Sequence, residues 1–327
     1  MKILAYAVRP DEIAAFHQFE ASMGLEITYI NEQLGMSNVA QSEGFEAVTF
    51  LGNCDASRPV LEALKANGVK FLASRSAGFN NVDMEALKEL GLRFSNATYS
   101  PYCVADFTVM LILMSIRNMK AMMLRGAAHD HSLAGLQGKE MHNLTFGVVG
   151  TGRIGAAVVE NLSGFNGRIL AYDVYENASI KDKVNYVPLE TLLQEADVIT
   201  LHTPLLDSTY HLINKETLAM TKPGVAIINC ARAELIDTDA LIESIESGHV
   251  GACGLDVFPN EIGIVHTDLR NKTYANHHLA ILNSHKNVIV TPHSAFYTDQ
   301  AVSDMVEVAL ASLKSFNTTN ESPNEIR

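Results

Sequence analysis

The feature that most constrains the fold of this chain is a glycine-rich turn between an apolar run and a helical segment. Residues 144–149 form a short run rich in β-branched residues, which is typical of a buried strand. The sequence GTGRIG follows at residues 150–155, and apolar residues then recur at helical spacing. A second apolar run, residues 168–172, ends at Asp173. Strand, glycines, helix, strand and acid in this order predict a βαβ unit of a parallel sheet.

The same turn predicts a dinucleotide site. Gly150 would make the tight turn, Gly152 would let a pyrophosphate approach the backbone, and Gly155 would let the helix pack close to the strand. Arg153 and Ile154 lie where the helix begins, and a helix N-terminus offers N–H groups and a positive dipole to phosphates. The alternative is a glycine-rich turn in an unrelated α/β protein.

Asp173 indicates which dinucleotide is bound. It stands at the tip of the second strand, where an acid binds ribose hydroxyls. Because a carboxylate there would repel a 2′-phosphate, NAD is favoured over NADP.

Composition limits the class of protein. A length of 327 residues, with 47% apolar and 19% charged residues, indicates about two globular domains. The net charge of −13 opposes nonspecific binding to nucleic acid or an anionic membrane. The four cysteines are widely spaced, so we expect neither a disulfide framework nor a metal site. The most apolar segment, residues 104–114, is too short for a membrane span, and we expect a cytoplasmic location.

Strands alternate with helices from the N-terminus onward, which predicts an α/β fold. We expect two doubly wound, parallel-sheet (Rossmann-like) domains with an active-site cleft between them. A long apolar helix over residues 104–119 would cross into the second domain, and a helix over 299–316 would return to the first before a polar tail. The predicted domains are a flavodoxin-like substrate-binding domain of residues 1–100 and 297–327 and an NAD-binding domain of residues 101–296.

Charged residues follow three of the later strands. Arg232 follows one, Asp256 and Glu261 follow the next, and His293 follows the last. Since the carboxyl ends of parallel strands meet at one edge, we expect these groups near the nicotinamide. A guanidinium would hold a substrate carboxylate, and an imidazole, whose free pKa is about 6.5, would give a proton to a carbonyl oxygen. A neighbouring carboxylate would orient that imidazole. Taken singly, each of these residues is more often a solvated surface residue, and it is their joint pattern that indicates a site.

Three stretches resemble the D-specific 2-hydroxyacid dehydrogenases, and the similarity covers essentially the whole chain. They are GVVGTGRIG, NCARAELIDTDALIESIESGHVGACGLDVFPNE and TPHSAFYTDQAV. Within the family the chain is similar to the D-lactate dehydrogenase branch, which includes D-2-hydroxyisocaproate, phenyllactate and 2-hydroxyglutarate dehydrogenases. The resemblance implies NAD-dependent reduction of a 2-oxo acid to the (R)-2-hydroxy acid by a homodimer.

The resemblance also implies individual roles. Arg232 would bind the substrate carboxylate and carbonyl, His293 would be the acid/base and Glu261 its partner. Asp256 would contact the nicotinamide carboxamide and influence the pH profile. Other residues implied to line the cofactor are His202, Thr203, Pro204, Cys230 and Ala231. Those implied to contact the substrate are Ala77 and Gly78, through their backbone, with Tyr99 and Phe296 nearby.

Two positions depart from the family signature, and a third bears on the size of the substrate. Ala233 replaces the usual glycine after the arginine, where a positive φ would be strained. Pro259 replaces the first acid of the signature and leaves Glu261 at the expected spacing. Leu51 stands where lactate enzymes have Tyr and 2-hydroxyglutarate enzymes have Arg. An uncharged, smaller side chain disfavours 2-oxoglutarate and predicts acceptance of phenylpyruvate or 2-oxoisocaproate as well as pyruvate.

Two alternatives remain at this point. One is a phosphoglycerate or glyoxylate/hydroxypyruvate reductase. The lack of an evident basic cluster that would bind a phosphate ester argues against it. The other is a non-catalytic NAD-sensing binding protein, which fold alone does not exclude. The methionine-rich segment 110–123 is expected in a helix interface, within one chain or between subunits.

Overall fold

The computed structural model describes residues 1–319 and 321–326. The chain divides into two compact units, Met1–Ser100 with Tyr297–Arg327, and Pro101–Phe296. Each unit contains one largely parallel sheet with a hydrophobic cluster on either face. The predicted class of two Rossmann-like parallel sheets is therefore confirmed.

The first unit has a six-stranded sheet in the order β13-β5-β4-β3-β1-β2, with elements numbered along the chain. Its strands are β1 (Lys2–Ala5), β2 (Glu26–Tyr29), β3 (Ala47–Phe50), β4 (Phe71–Ser74), β5 (Arg93–Ser95) and β13 (Glu325–Ile326). Its helices are α1 (Ile13–Met23), α2 (Arg58–Ala66), α3 (Met84–Leu90) and α11 (Asp299–Thr318). Apolar residues of α1 and α11 share one cluster with β1, so the last helix closes one face of this sheet.

Strand β13 differs from the predicted polar tail. Ile326 pairs antiparallel with Phe94 of β5, and the Glu325 carboxylate accepts two 2.8 Å hydrogen bonds from the Arg93 guanidinium. A two-residue strand has too little periodicity to be read from sequence, because its pairing is set by a contact 232 residues away.

A buried ion pair links the residue after β4 to the short 3-10 turn before α1. Arg75 and Glu12 are both fully buried, and Nε of Arg75 donates to Oε1 of Glu12 at 2.8 Å. Nη2 of Arg75 also donates to the carbonyl oxygens of Tyr6 and Ala7, and the guanidinium carbon lies 5.2 Å from the Phe16 ring centroid. These contacts fix the point from which the loop after β4 leaves the sheet.

The second unit has a seven-stranded parallel sheet in the order β12-β11-β10-β9-β6-β7-β8. Its strands are β6 (Thr145–Val149), β7 (Arg168–Tyr172), β8 (Asn185–Tyr186), β9 (Val198–Leu201), β10 (Val225–Asn229), β11 (Val250–Leu255) and β12 (Val288–Val290). Its helices are α4 (Tyr102–Ile116), α5 (Met119–Ala127), α6 (Arg153–Ser163), α7 (Leu189–Glu195), α8 (Lys215–Met220), α9 (Thr238–Glu246) and α10 (His277–Ser284). The strand order reverses at β6, the position at which such sheets bind ligands.

The long helix predicted over residues 104–119 is wrong in its extent. Helix α4 starts at Tyr102 and ends at Ile116, because Asn118 adopts a left-handed backbone with φ of 53° before α5 begins. The two helices meet at 67°. Among the described residues no single helix is long and apolar enough to span a bilayer, and only this bent pair reaches that length and apolarity when taken together.

Candidate active site

The glycine turn after β6 shows three different environments. Gly150 has a φ of 93°, and a Cβ there would lie 2.7 Å from the carbonyl carbon of His202. A Cβ on Gly155 would overlap the carbonyl oxygen of Gly150, so α6 approaches the strand more closely than any side chain allows. A Cβ on Gly152 would meet no protein atom within 4 Å. The outer two glycines serve the fold, whereas Gly152 leaves open space at the start of α6.

Helix α6 begins directly at this open space. Gly152 is its N-cap, and Arg153, Ile154 and Gly155 form its first turn. The N–H groups of a first turn point out of the helix and carry its positive dipole end. The open space and the helix end together fit the pyrophosphate of a dinucleotide.

Asp173 lies just beyond β7 and is fastened to the glycine turn. Its Oδ2 accepts hydrogen bonds from the backbone N and Oγ1 of Thr151. Tyr186 donates to Oγ1 of Thr151 at 3.0 Å, and Asn177 donates to the Thr151 carbonyl at 2.8 Å. Sequence reasoning missed Asn177 and Tyr186, which reach the turn only through the folding of the segment around β8. Asp173 therefore helps to hold the conformation of the glycine turn.

His202, Thr203 and Pro204 follow β9, beside the glycine turn. The backbone N of His202 donates to the Val149 carbonyl at 2.7 Å, and its Nε2 lies 2.9 Å from Oγ1 of Thr200. Burial lowers the pKa of His202 to about 3, so this imidazole is neutral at physiological pH.

Asn229, the last residue of β10, holds the loop that carries Arg232. Its side chain accepts from the N–H of Ala231 at 2.9 Å and donates to the carbonyl of Arg232 at 2.8 Å. Nη1 of Arg232 donates to the Ala231 carbonyl at 2.8 Å. Burial raises the pKa of the Cys230 thiol to about 12, with the charge of Asp256 adding to the shift. Cys230 is therefore an unreactive thiol in the wall of this loop.

The expected strain at Ala233 does not arise. Ala233 opens a short 3-10 turn, Ala233–Leu235, and it is not among the residues with positive φ. The loop reaches its shape with a negative φ at this position, which any side chain tolerates. The absence of the usual glycine is therefore compatible with the fold.

Asp256 directly follows β11 and is fully buried. Its Oδ1 accepts from the Thr291 hydroxyl and, at 2.9 Å, from the N–H of Ser294. Its Oδ2 accepts from the N–H of Ala295 at 2.8 Å. These bonds tie the end of β11 to the loop that carries His293, so the carboxylate determines where that loop lies.

His293 is hydrogen-bonded to Glu261. Nδ1 of His293 lies 2.6 Å from Oε1 of Glu261, and both side chains are partly buried. Because a carboxylate accepts hydrogen bonds, Nδ1 carries the hydrogen, and Nε2 has no hydrogen-bond partner in the described part of the chain. Oε2 of Glu261 is buried without a partner among those same residues.

A second histidine, His266, lies beside this pair and was missed by sequence reasoning. Its Nε2 lies 3.0 Å from the carbonyl oxygen of His293, and its ring centroid lies 5.9 Å from that of Phe296 in an edge-on arrangement. Nothing in the irregular segment after Glu261 indicated this contact, because it joins residues 27 positions apart.

The remaining predicted site residues belong to the first unit. Ala77 and Gly78 follow β4, and within the described chain neither backbone N–H donates a hydrogen bond. Their carbonyls accept from Asn96 and Ser76, respectively, at 2.8 Å. Tyr99 is partly exposed. Leu51 follows β3 and is 8% exposed, packed into the apolar cluster of this unit.

Comparison with known proteins decides the family. Residues 109–295 match the model described as the D-isomer specific 2-hydroxyacid dehydrogenase, NAD binding domain. The chain belongs to the D-isomer-specific 2-hydroxyacid dehydrogenase family. The predicted membership in this family is confirmed, and so is NAD as the cofactor.

Individual relatives of this family agree along the full length. The chain is 43% identical to an aromatic 2-oxoacid reductase of Clostridium sporogenes over 99% of both chains. It is 37% identical to the D-lactate dehydrogenase of Escherichia coli strain K12 over 100% of both chains. The solved structure of a D-2-hydroxyisocaproate dehydrogenase superposes with a TM-score of 0.90 at 36% identity, covering 100% of this chain and 99% of that one. The chain is thus an NAD-dependent D-2-hydroxyacid dehydrogenase, an oxidoreductase that acts on small 2-oxo and 2-hydroxy acids.

Proposed function

We propose that this dehydrogenase reduces 2-oxo acids with bulky apolar side chains, such as phenylpyruvate and 2-oxoisocaproate, to the (R)-2-hydroxy acids, and that it also accepts pyruvate. The observation that carries the catalytic part is the hydrogen bond between Glu261 and His293, which leaves Nε2 of the imidazole available. The side-chain preference is supported by Leu51 and by the name of the Clostridium sporogenes relative.

His293 is the proposed acid/base. Its Nε2 gives a proton to the substrate carbonyl oxygen, which gains negative charge as NADH supplies a hydride to the adjacent carbon. Glu261 holds Nδ1, orients the ring and stabilises its positive charge before the proton leaves. In the oxidative direction Nε2 takes the proton back.

Arg232 and the loop after β4 are the proposed carboxylate binders. A guanidinium forms two parallel bonds to a carboxylate, and Asn229 holds the Arg232 backbone in a fixed place for this. The N–H groups of Ala77 and Gly78 make no hydrogen bond within the described chain, so they suit an anionic oxygen. Tyr99 and Phe296 are proposed to lie near the substrate.

Leu51 is proposed to set the size of the substrate side chain. It is largely buried and uncharged, so it offers no partner to a distal carboxylate of 2-oxoglutarate. A leucine also fills less volume than an aromatic ring, and this difference favours larger apolar groups.

The glycine turn and the residues after β7 and β9 are proposed to hold NAD. Gly150, Gly152, Arg153, Ile154 and Gly155 would receive the pyrophosphate, and Asp173 the ribose hydroxyls. The other proposed cofactor residues are His202, Thr203, Pro204, Cys230, Ala231 and Asp256. Replacing Asp173 with Ala should weaken the binding of NADH and reduce the preference for NADH over NADPH. An unchanged NADH/NADPH ratio of kcat/KM would contradict the ribose role.

We also propose a cytoplasmic homodimer that does not bind membranes or nucleic acid. Four methionines, Met110, Met114, Met119 and Met122, line a groove of about 650 Å³ between α4 and α5, and flexible apolar side chains of this kind suit an interface. Light scattering of Met114→Asp against the wild type tests this surface. An unchanged dimer mass would place the interface elsewhere.

A substrate panel tests the function. NADH oxidation is followed with phenylpyruvate, 2-oxoisocaproate, pyruvate, 2-oxoglutarate and hydroxypyruvate, and the products are separated on a chiral column. We expect kcat/KM for the two bulky acids to equal or exceed that for pyruvate. A tenfold advantage for pyruvate would overturn the pocket argument. Tight NADH binding without turnover of any acid would favour an NAD-sensing role.

A further inference from the structure

We propose that His266 is a positioning residue for His293: its Nε2–H fixes the His293 carbonyl, and its ring supports Phe296. The inference rests on the function proposed above, because it assigns His266 a part in the same site. No signature residue of the chain pointed to it.

The segment 261–266 contacts His293 at two places. Glu261 binds the imidazole through Nδ1, and His266 binds the backbone carbonyl of the same residue at 3.0 Å. The segment can do both because it folds back on itself: the N–H groups of Ile264 and Val265 donate to the Glu261 carbonyl at 2.9 and 3.1 Å. This turn brings two side chains five positions apart onto one target.

His293 needs such support because its backbone is left-handed, with φ of 53°. This conformation is uncommon for a residue with a Cβ, and the surrounding contacts determine where its carbonyl and its ring point. Its N–H donates to the Thr291 carbonyl at 3.0 Å, and Asp256 holds the N–H groups that follow. The carbonyl of His293 is the remaining polar group of this peptide, and His266 is its partner. Rotation about ψ would move the imidazole away from Glu261.

The geometry also fixes the tautomer of His266. A carbonyl oxygen only accepts, so Nε2 of His266 carries the hydrogen and Nδ1 does not in the neutral ring. His266 passes no proton to the substrate in this arrangement; it acts through His293 and through Phe296. Its ring meets Phe296 edge-on at 66°, an arrangement favourable for aromatic pairs.

Two substitutions separate the two contacts. His266→Phe keeps a ring against Phe296 and removes the donor. His266→Gln keeps a side-chain N–H donor and removes the ring. His129→Phe is the matched control, since His266 and His129 are both exposed and both have a left-handed backbone, with φ of 57° and 58°. His266→Leu, which also lacks the donor, replaces the Phe variant if that protein aggregates.

The expected results differ between the variants. His266→Phe should lower kcat for phenylpyruvate and for pyruvate alike, by about 10- to 100-fold, because a displaced imidazole cannot reach the carbonyl oxygen. His266→Gln should retain kcat within about threefold of the wild type, while its KM for phenylpyruvate rises more than its KM for pyruvate. NADH affinity should stay constant in all variants, and His129→Phe should match the wild type.

Each outcome decides something. Wild-type kcat in His266→Phe or His266→Leu would overturn this inference and leave the proposed function intact. An equal loss in His266→Gln and His266→Phe would also overturn it, because the donor would then not matter. If the wild-type enzyme turned over none of the 2-oxo acids, the proposed function would fail as well. Rescue of kcat by Gln alone supports the positioning role.

Discussion

Nδ1 of His293 and Oε1 of Glu261 lie 2.6 Å apart, across 32 residues of sequence. This one bond fixes which nitrogen of the imidazole is left for chemistry. It also places a carboxylate whose second oxygen has no other partner in the described chain next to the ring that we propose as the acid/base.

Replacing Glu261 with Gln should lower kcat by about 100-fold, because the amide oxygen still accepts from Nδ1–H but brings no negative charge. His293→Ala should lower kcat by about 10²–10⁴-fold. The double variant should be little worse than His293→Ala, since the two residues act as a unit. Single-turnover kinetics with a parallel NADH titration checks this, with exposed Glu246→Gln as the control. Additive losses would contradict the pairing.

Arg232→Lys should raise KM for the 2-oxo acid by about 10- to 100-fold, equivalent to one charged hydrogen bond of about 1.5–3 kcal/mol. Lysine keeps the charge but not the planar fork. Steady-state kinetics with phenylpyruvate measures the effect, and exposed Arg270→Lys serves as the control. An unchanged KM would remove Arg232 from carboxylate binding.

Gly152→Ala should weaken NADH binding without loss of stability, whereas Gly155→Ala should lower the stability of the fold. A Cβ at Gly152 meets no protein atom, so the fold should keep its Tm while NADH binding weakens by about tenfold or more. A Cβ at Gly155 overlaps the Gly150 carbonyl, so unfolding free energy should fall by about 1–3 kcal/mol. Thermal melts and NADH titration of both variants give the comparison. Equal stability of the two would show that α6 can move.

The regular elements were largely predictable because each is decided by local pattern. The strand Arg168–Tyr172 has the predicted bounds, since an apolar run between a turn and an acidic residue marks a buried parallel strand. The break at Asn118 and the strand Glu325–Ile326 were not predictable. Ile326 pairs with Phe94 far along the chain, and the Asn118 side chain donates to the carbonyl of Gln137 at 3.1 Å, so both features depend on contacts outside their own segment.

Ala233→Gly should bring no gain in kcat and should lower the unfolding free energy by about 0.4–1 kcal/mol. Ala233 already has a negative φ, so glycine adds only freedom to the unfolded chain. Urea unfolding and kcat/KM measure the two effects. A rise in activity would indicate that the loop prefers a backbone only glycine adopts.

His202 should make the enzyme less stable in acid. Its folded-state pKa, about 3, lies below the unfolded value of about 6.5, so the unfolded chain binds the proton first as pH falls. Its contribution is complete above about pH 6.5 and is lost towards pH 3. His202→Gln should therefore lose stability less steeply in that window. Urea unfolding across pH checks this against exposed His142→Gln, and parallel curves for His202→Gln and wild type would contradict it.

The functional groups were predictable to different degrees. Sequence order placed Arg232, Asp256 and His293 after three strands that the sheet sets side by side, because strand ends in such sheets share one edge. The hydrogen bonds that Asp256 makes to the loop after β12 and the contact from His266 could not be read from sequence. They depend on contacts between two irregular segments, and such segments have no periodic pattern from which a contact could be predicted.

Arg75 and Glu12 constrain how this chain can diverge. Neutralising either one alone would strand the other charge in a dry interior, which costs about 3–5 kcal/mol. Exchanging both for apolar residues of similar volume removes that cost. We therefore expect positions 12 and 75, which are 63 residues apart, to change together among related sequences, because the loss of one charge leaves its buried partner uncompensated.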